Sequence, residues 1–110
     1  MDVRTVVELN TWYTPEGTYL RLVVIRGCSN GSEELVVEGA DLVFYTCEDI
    51  PLRDTTAVYK FFKGIGLDGE LVYGETSRVK IFRVKGDYGK LIDVLTSTAK
   101  PSTAPSWAQS

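Results

Sequence analysis

The chain has 110 residues, 44% of them hydrophobic and 25% charged, with a net charge of −3. This length supports one domain that buries roughly two-thirds of its unfolded surface, and the acidic balance counts against a sequence-independent nucleic-acid binder, which needs a basic excess to displace counterions. The absence of histidine removes the usual neutral-pH general base, the usual zinc ligand and the usual pH switch together.

The opening segment MDVRTVVELN carries an acid at position 2 and alternates too soon for the apolar core of a signal peptide. No run approaches the roughly 18 apolar residues of a membrane span. A cytoplasmic protein without membrane association is expected. From Val3 to Tyr13, Val3, Val7 and Leu9 alternate against Arg4, Glu8 and Asn10, although Val6 and Trp12 break the pattern. The β-branched and aromatic content predicts a strand. Thr14-Pro15-Glu16-Gly17 supplies turn chemistry, and Thr18 to Gly27 is the return strand, with Leu20, Leu22 and Val24 alternating against Tyr19, Arg21 and Val23.

Cys28 to Ser32 is a polar loop, in which Asn30-Gly31-Ser32 reads as a turn rather than a glycosylation site. Glu34 to Glu38 and Asp41 to Cys47 follow as strand, with Gly39-Ala40 read as a bulge in one long strand, or else as a turn between two short ones. Glu48 to Asp54 is a loop, since Pro51 excludes a central strand. Cys28 and Cys47 read as two buried or half-buried thiols; a disulfide is the alternative, which spatial separation alone decides.

The segment Ala57 to Lys85 reads as one long hairpin about Leu67-Asp68-Gly69-Glu70, because Asp-Gly tolerates the positive φ of a two-residue turn. That register sets Ile65 opposite Val72 and Val58 opposite Val79. The alternative is a helix over 54–64, since Val58, Phe61, Phe62 and Ile65 also fall at helical spacing and Asp54 suits an N-cap. Gly74 marks a kink, Gly86 to Gly89 a turn, and Lys90 to Leu95 a last strand or short helix. The domain is expected to span 1–96. Residues 97–110, rich in Ser, Thr, Ala and Pro with Trp107 alone among them, read as a flexible tail.

No motif ties Ser77 to Lys80 or Lys60 as a nucleophile and base, and the paired acids fall in loops and strand ends. Gly64, Gly66 and Gly69 lack the Lys-Ser/Thr pair of a phosphate loop. The expectation is a protein that is not an enzyme and needs no cofactor. Tyr59, Lys60, Lys63, Tyr73, Arg78, Lys80 and Arg83 form the candidate surface on the hairpin, for a protein partner or for bases stacked in a basic groove. Residues 28–54 hold seven acids against Arg53 alone, a segment suited to docking on a charged protein.

The run VVELNTWYTPEGTYLRLVVIRGCSNGSEELVVEGADLVFYT, with ELVYGE and DYGKLIDVL after it, resembles the small subunit 8 of RNA polymerase, found in eukaryotes and some archaea. The family's Tyr-Gly-Gly-Leu-Leu pattern stands here as Tyr88-Gly89-Lys90-Leu91-Ile92. The resemblance implies an OB-like closed barrel and a non-catalytic place on the periphery of the enzyme, against its largest subunit. The fold expected from the whole chain is mainly β, a small antiparallel barrel or sandwich of roughly six to eight strands, with α+β carrying a helix at 54–64 as the alternative. The expected function is a non-catalytic accessory subunit, in transcription if the resemblance holds. The alternatives are a single-stranded nucleic-acid-binding module and a viral or filament structural protein.

Overall fold

The computed structural model describes residues 2–28, 31–48 and 53–101. The first element is a helix, α1 (Val3–Leu9), where a strand is expected. Asp2 caps it, its carboxylate accepting from the Thr5 N–H at 2.8 Å, which satisfies one of the donors a helix start leaves open. Val3, Val6 and Val7 then fall on one helical face, and Val6 and Val7 are fully buried. Packing outweighs the modest helix propensity of valine.

β1 (Thr11–Thr14) and β2 (Gly17–Arg26) form the expected hairpin, Thr14 pairing with Gly17 across Pro15-Glu16. β3 (Glu34–Glu38) and β4 (Asp41–Thr46) are a second hairpin with Glu38 opposite Asp41, so Gly39-Ala40 is a two-residue turn and not a bulge. α2 (Arg53–Gly64) takes the helical alternative of its segment. It ends in a left-handed cap: the Gly66 N–H donates to the Lys63 carbonyl and the Leu67 N–H to the Phe62 carbonyl, with Gly66 at φ +83°. Asp68-Gly69 therefore leads from that cap into β5 (Gly69–Tyr73), and the long hairpin about it is not formed. The turn that pairs β5 with β6 (Val79–Val84) lies at 74–78 instead. α3 (Tyr88–Thr98), capped by the Asp87 carboxylate on the Lys90 N–H, and the short β7 (Lys100–Pro101) complete the order. The fold thus continues past residue 96, while 102–110, Trp107 among them, and the loop residues 29–30 and 49–52 lie outside the described residues.

The strands build one sheet in the order β5-β6-β2-β4-β3-β7, with β1 also on β2. β2 is its centre. β6 runs antiparallel along one flank, and the other flank is shared end to end. β1 takes the first half (Thr11 beside Leu20) and β4, parallel, takes the second (Val23 beside Val43). Asn10 seals that joint. Its amide donates to the carbonyls of Val6 and Ala40, and its Oδ1 accepts from Arg21.

The parallel pairing brings the carboxyl ends of β2 and β4 together, and Cys28 and Cys47 form a disulfide there with a Cα–Cα distance of 4.9 Å. The two-thiol reading is corrected by this adjacency, which arises because β3 skips one slot and β4 fills it.

All three helices contribute to a single core with one face of the sheet: Leu20, Leu22 and Val24 of β2, Phe44 of β4 and Phe82 of β6 meet Val7, Val58, Phe62 and Leu95. The Phe62 and Phe82 rings pack edge-on at 5.3 Å. The sheet remains open and is not closed into a barrel, so the architecture is a two-layer α+β fold. The α+β alternative with its helix near 54–64 is the reading that matches.

Candidate functional site

Side chains alternate across a strand, so the registers also define the other face of the sheet. One transverse row runs Val79, Val23, Val43, Val36 from β6 through β2 and β4 to β3. The next row toward the β1 end runs Tyr73, Ile81, Arg21, Asp41, Glu38. The row on the other side holds Ile25, Tyr45 and Glu34. Beyond Arg21 come Trp12 and Tyr19, stacked at 5.7 Å, with Arg83 and Glu70 beside them. No helix among the described residues covers this face.

The result is an aliphatic strip rimmed by charge and aromatic rings. Its charges are joined within the chain. Arg21 bonds Asp41 at 3.0 Å, Arg83 bonds Glu70, and Lys100 bonds Glu34 at 3.1 Å. The Tyr45 hydroxyl donates to Glu38, which with partial burial pushes its pKa up to about 12. Since Tyr45 stands opposite Glu34 and reaches Glu38 four residues along β3, its ring lies across the level of Val36.

The edges of the sheet are blunted. The outward Leu71 N–H of edge strand β5 donates to the Tyr59 hydroxyl at 2.8 Å, and β7 at the opposite edge ends on Pro101. A polar crevice of about 340 Å3 opens at the carboxyl end of β2, lined by Arg26, Asp54, Thr76, Ser77 and Arg78 among others. Its carboxylate is engaged: Asp54 accepts from the Thr55 N–H at 2.8 Å and pairs with Lys80 at 3.7 Å. A shallow groove of about 460 Å3 lies between α2 and the start of β5, at Tyr59, Phe62, Lys63 and Leu67.

The surface expected on residues 59–85 is not one surface. Tyr59, Lys60 and Lys63 belong to α2, on the helical layer. Arg78 lies at the crevice. Lys80 is corrected outright: it points into the core, is 0% exposed, and donates to the carbonyls of Gly74 and Glu75 at 2.8 and 2.9 Å. Only Tyr73 and Arg83 share the open face. The acidic segment is dispersed as well, since Glu33 accepts from Thr46, Glu34, Asp41 and Asp54 pair with cations, and Glu38 holds Tyr45.

The central residues of the open face, the part-buried Val23, Ile25 and Ile81 with Val43 buried among them, belong to no motif in the sequence. A signal existed: β2 is apolar on both of its faces, which is the pattern of a strand covered on both sides. Among the described residues no group of three or more His, Cys, Asp or Glu could hold a metal ion, and no helix is long and apolar enough to cross a membrane. No known protein family, curated protein or solved structure matches the chain.

Proposed function

We propose that the chain is a non-catalytic docking subunit that joins a larger assembly through the open face of its sheet. One observation carries this reading: the part-buried Val79, Val23 and Val36, with Val43 buried among them at 3% exposure, form an aliphatic row on β6, β2, β4 and β3 that no helix among the described residues covers, rimmed by aromatic and charged side chains. An apolar centre with a polar rim is the make-up of a protein interface. The blunted edges leave the face, rather than β-strand addition, as the route.

RNA polymerase is the specific assembly that the sequence resemblance offers, against its largest subunit and without the closed barrel. The Cys28–Cys47 disulfide supports an oxidising setting rather than a reducing cytoplasm or nucleus, and so weighs against the transcriptional form and for a docking partner outside it.

The test is affinity isolation of the tagged chain from its native cells, beside an Ile81→Lys variant checked for its native circular dichroism. A stoichiometric partner lost in the variant supports the reading. Retention of every partner by the variant overturns it. Recovery of the large polymerase subunits would support the transcriptional form, and their absence would remove it.

A further inference from the structure

The charges of the open face are arranged so that a second copy of this chain complements them. The sheet order β5-β6-β2-β4-β3-β7 has its midline between β2 and β4. On the open face the strands on one side carry Glu70 on β5, Arg83 on β6 and Arg21 on β2. The strands on the other side carry Asp41 on β4, Glu34 and Glu38 on β3, and Lys100 on β7. Read outward from the midline, the signs are plus, plus, minus on one side and minus, minus, plus on the other. Strand by strand the pattern reverses sign about its own centre; along the strands Arg21 and Asp41 share a level, Arg83 and Glu38 are one row apart, and Glu70 and Lys100 are two rows apart.

We infer that the open sheet face takes a second copy of the chain, packed face to face about a two-fold axis parallel to the strands. The inference rests on the docking reading above and names its partner. Such an axis lays β2 over β4, β6 over β3 and β5 over β7, keeping positions along the strands. Arg21 then meets Asp41 of the second copy at the same level, and Arg83 comes within one row of its Glu38.

The apolar rows also match. Val23 meets Val43, itself 3% exposed within its own copy, Ile25 meets Tyr45, Val79 meets Val36 with the Tyr45 ring lying across it, and Ile81 meets Glu38, whose carboxylate is turned to Tyr45. Aligned sheets pack in this way with about 10 Å between them, rotated by about 30°. An isologous interface needs this self-complementarity, because one patch must serve as both partners.

The area suffices. A face about 24 Å across and about 17–20 Å along the strands offers on the order of 450 Å2 in projection. Accessible area exceeds projected area for corrugated side chains, so two faces reach the roughly 1,000–1,200 Å2 at which specific interfaces begin. Because the rim charges are already compensated within each copy, the face suits a neutral partner like itself better than a polyanion.

The experiment is the solution mass of the full chain by sedimentation equilibrium, from about 1 µM to about 500 µM, which resolves self-association of about −4 to −8 kcal/mol. Wild type is expected to move from 12.2 kDa to twice that mass, and Ile81→Glu, which sets a carboxylate opposite Glu38 of the second copy, to stay monomeric with unchanged circular dichroism. If Ile81→Glu does not fold, Tyr73→Lys, at a side chain 64% exposed on the same row, takes its place.

A second pair of variants tests the arrangement in trans. Glu38→Lys with Asp41→Lys makes the four central charges of the face (positions 21, 83, 38 and 41) all positive, and Arg21→Glu with Arg83→Glu makes them all negative, with Glu34, Glu70 and Lys100 unchanged at the rim. Each alone should be monomeric, and an equal mixture should form a heterodimer, which charge pairs within one chain do not produce. A wild-type monomer throughout, a dimer that survives Ile81→Glu, or reversed variants that fail to recombine overturns the inference. A monomeric wild type whose Ile81→Lys variant still loses its partner in cells would overturn the second copy alone. A variant without effect in either setting would overturn the docking reading too.

Discussion

At the scale of single residues, the buried Lys80 orders one end of the molecule. Its ammonium sits inside the β5–β6 turn, held by the Gly74 and Glu75 carbonyls, and faces Asp54 at the start of α2. Lys80→Met should cost about 3–5 kcal/mol in urea denaturation, because it leaves the nearly buried Asp54 carboxylate without its countercharge and two carbonyls without a donor. Lys80→Met with Asp54→Leu should cost less than the single change. Gly74 is fixed by the same turn: at φ +90° an added Cβ would lie 2.1 Å from the Val79 carbonyl oxygen. Gly74→Ala should therefore destabilise by more than about 4 kcal/mol, whereas Gly66→Ala, also left-handed but facing open space, should cost about 1–2 kcal/mol.

Tyr45 gives the fold a dependence on alkaline pH. Its hydrogen bond to Glu38, its burial and the Glu38 charge raise its pKa from 10.0 to about 12, so the folded state holds this proton more tightly than the unfolded one. The corresponding stability is fully present below pH 10 and is lost as pH rises from about 10 to about 12. Melting temperatures across that window should fall for the wild type, and Tyr45→Phe should remove this part of the fall.

At the scale of elements, α2 does more than cover the sheet. Tyr59 packs edge-on against Phe82 at 6.0 Å and turns its hydroxyl onto the Leu71 N–H. Tyr59→Phe should keep the ring contact while exposing that edge amide, with a loss of about 0.5–1 kcal/mol and faster hydrogen exchange confined to β5. The first hairpin was legible because its turn chemistry and alternation agree. α1 was not, and α2 was legible only as the alternative over 54–64, since Val3, Val6 and Val7, like Thr55 and Thr56, are β-branched, and a short helix rich in them forms only when a sheet is there to bury its stripe. The Val3/Val6/Val7 spacing after Asp2 was the available sign. Asp68-Gly69 misled because a glycine-capped helix entering a strand uses the same residues as a hairpin turn. Lys80 carries no sequence mark of burial, and the open face was half legible, in the two apolar sides of β2 but not in the rows that neighbouring strands complete.

At the scale of the whole molecule, the disulfide and the chain order act together. β3, β4 and β7 join the rest of the sheet through the β2–β4 pairing, which spans four residue pairs from Val23 with Val43 to Arg26 with Thr46. Just beyond that ladder the Gly27 N–H donates to the Thr46 carbonyl, and the Cys28–Cys47 bond closes a loop with a sequence separation of 19. Closing a loop of that length removes enough unfolded-chain entropy to contribute about 3 kcal/mol. Cys28→Ser with Cys47→Ser, or mild reduction of the wild type, should lower the melting temperature by on the order of 10 °C. The loss should not be uniform. α1, α2 and α3 bury their stripes on β2 and β6 as well as on β4, whereas the β3–β4 hairpin has only one short parallel ladder holding it to β2. Hydrogen exchange of the reduced protein should therefore rise first at Val36, Val37, Leu42 and Val43, with Leu20, Leu22 and Phe82 still protected. Equal loss in both groups would show that the bond stabilises the sheet as a single cooperative unit rather than pinning one half of it to the other.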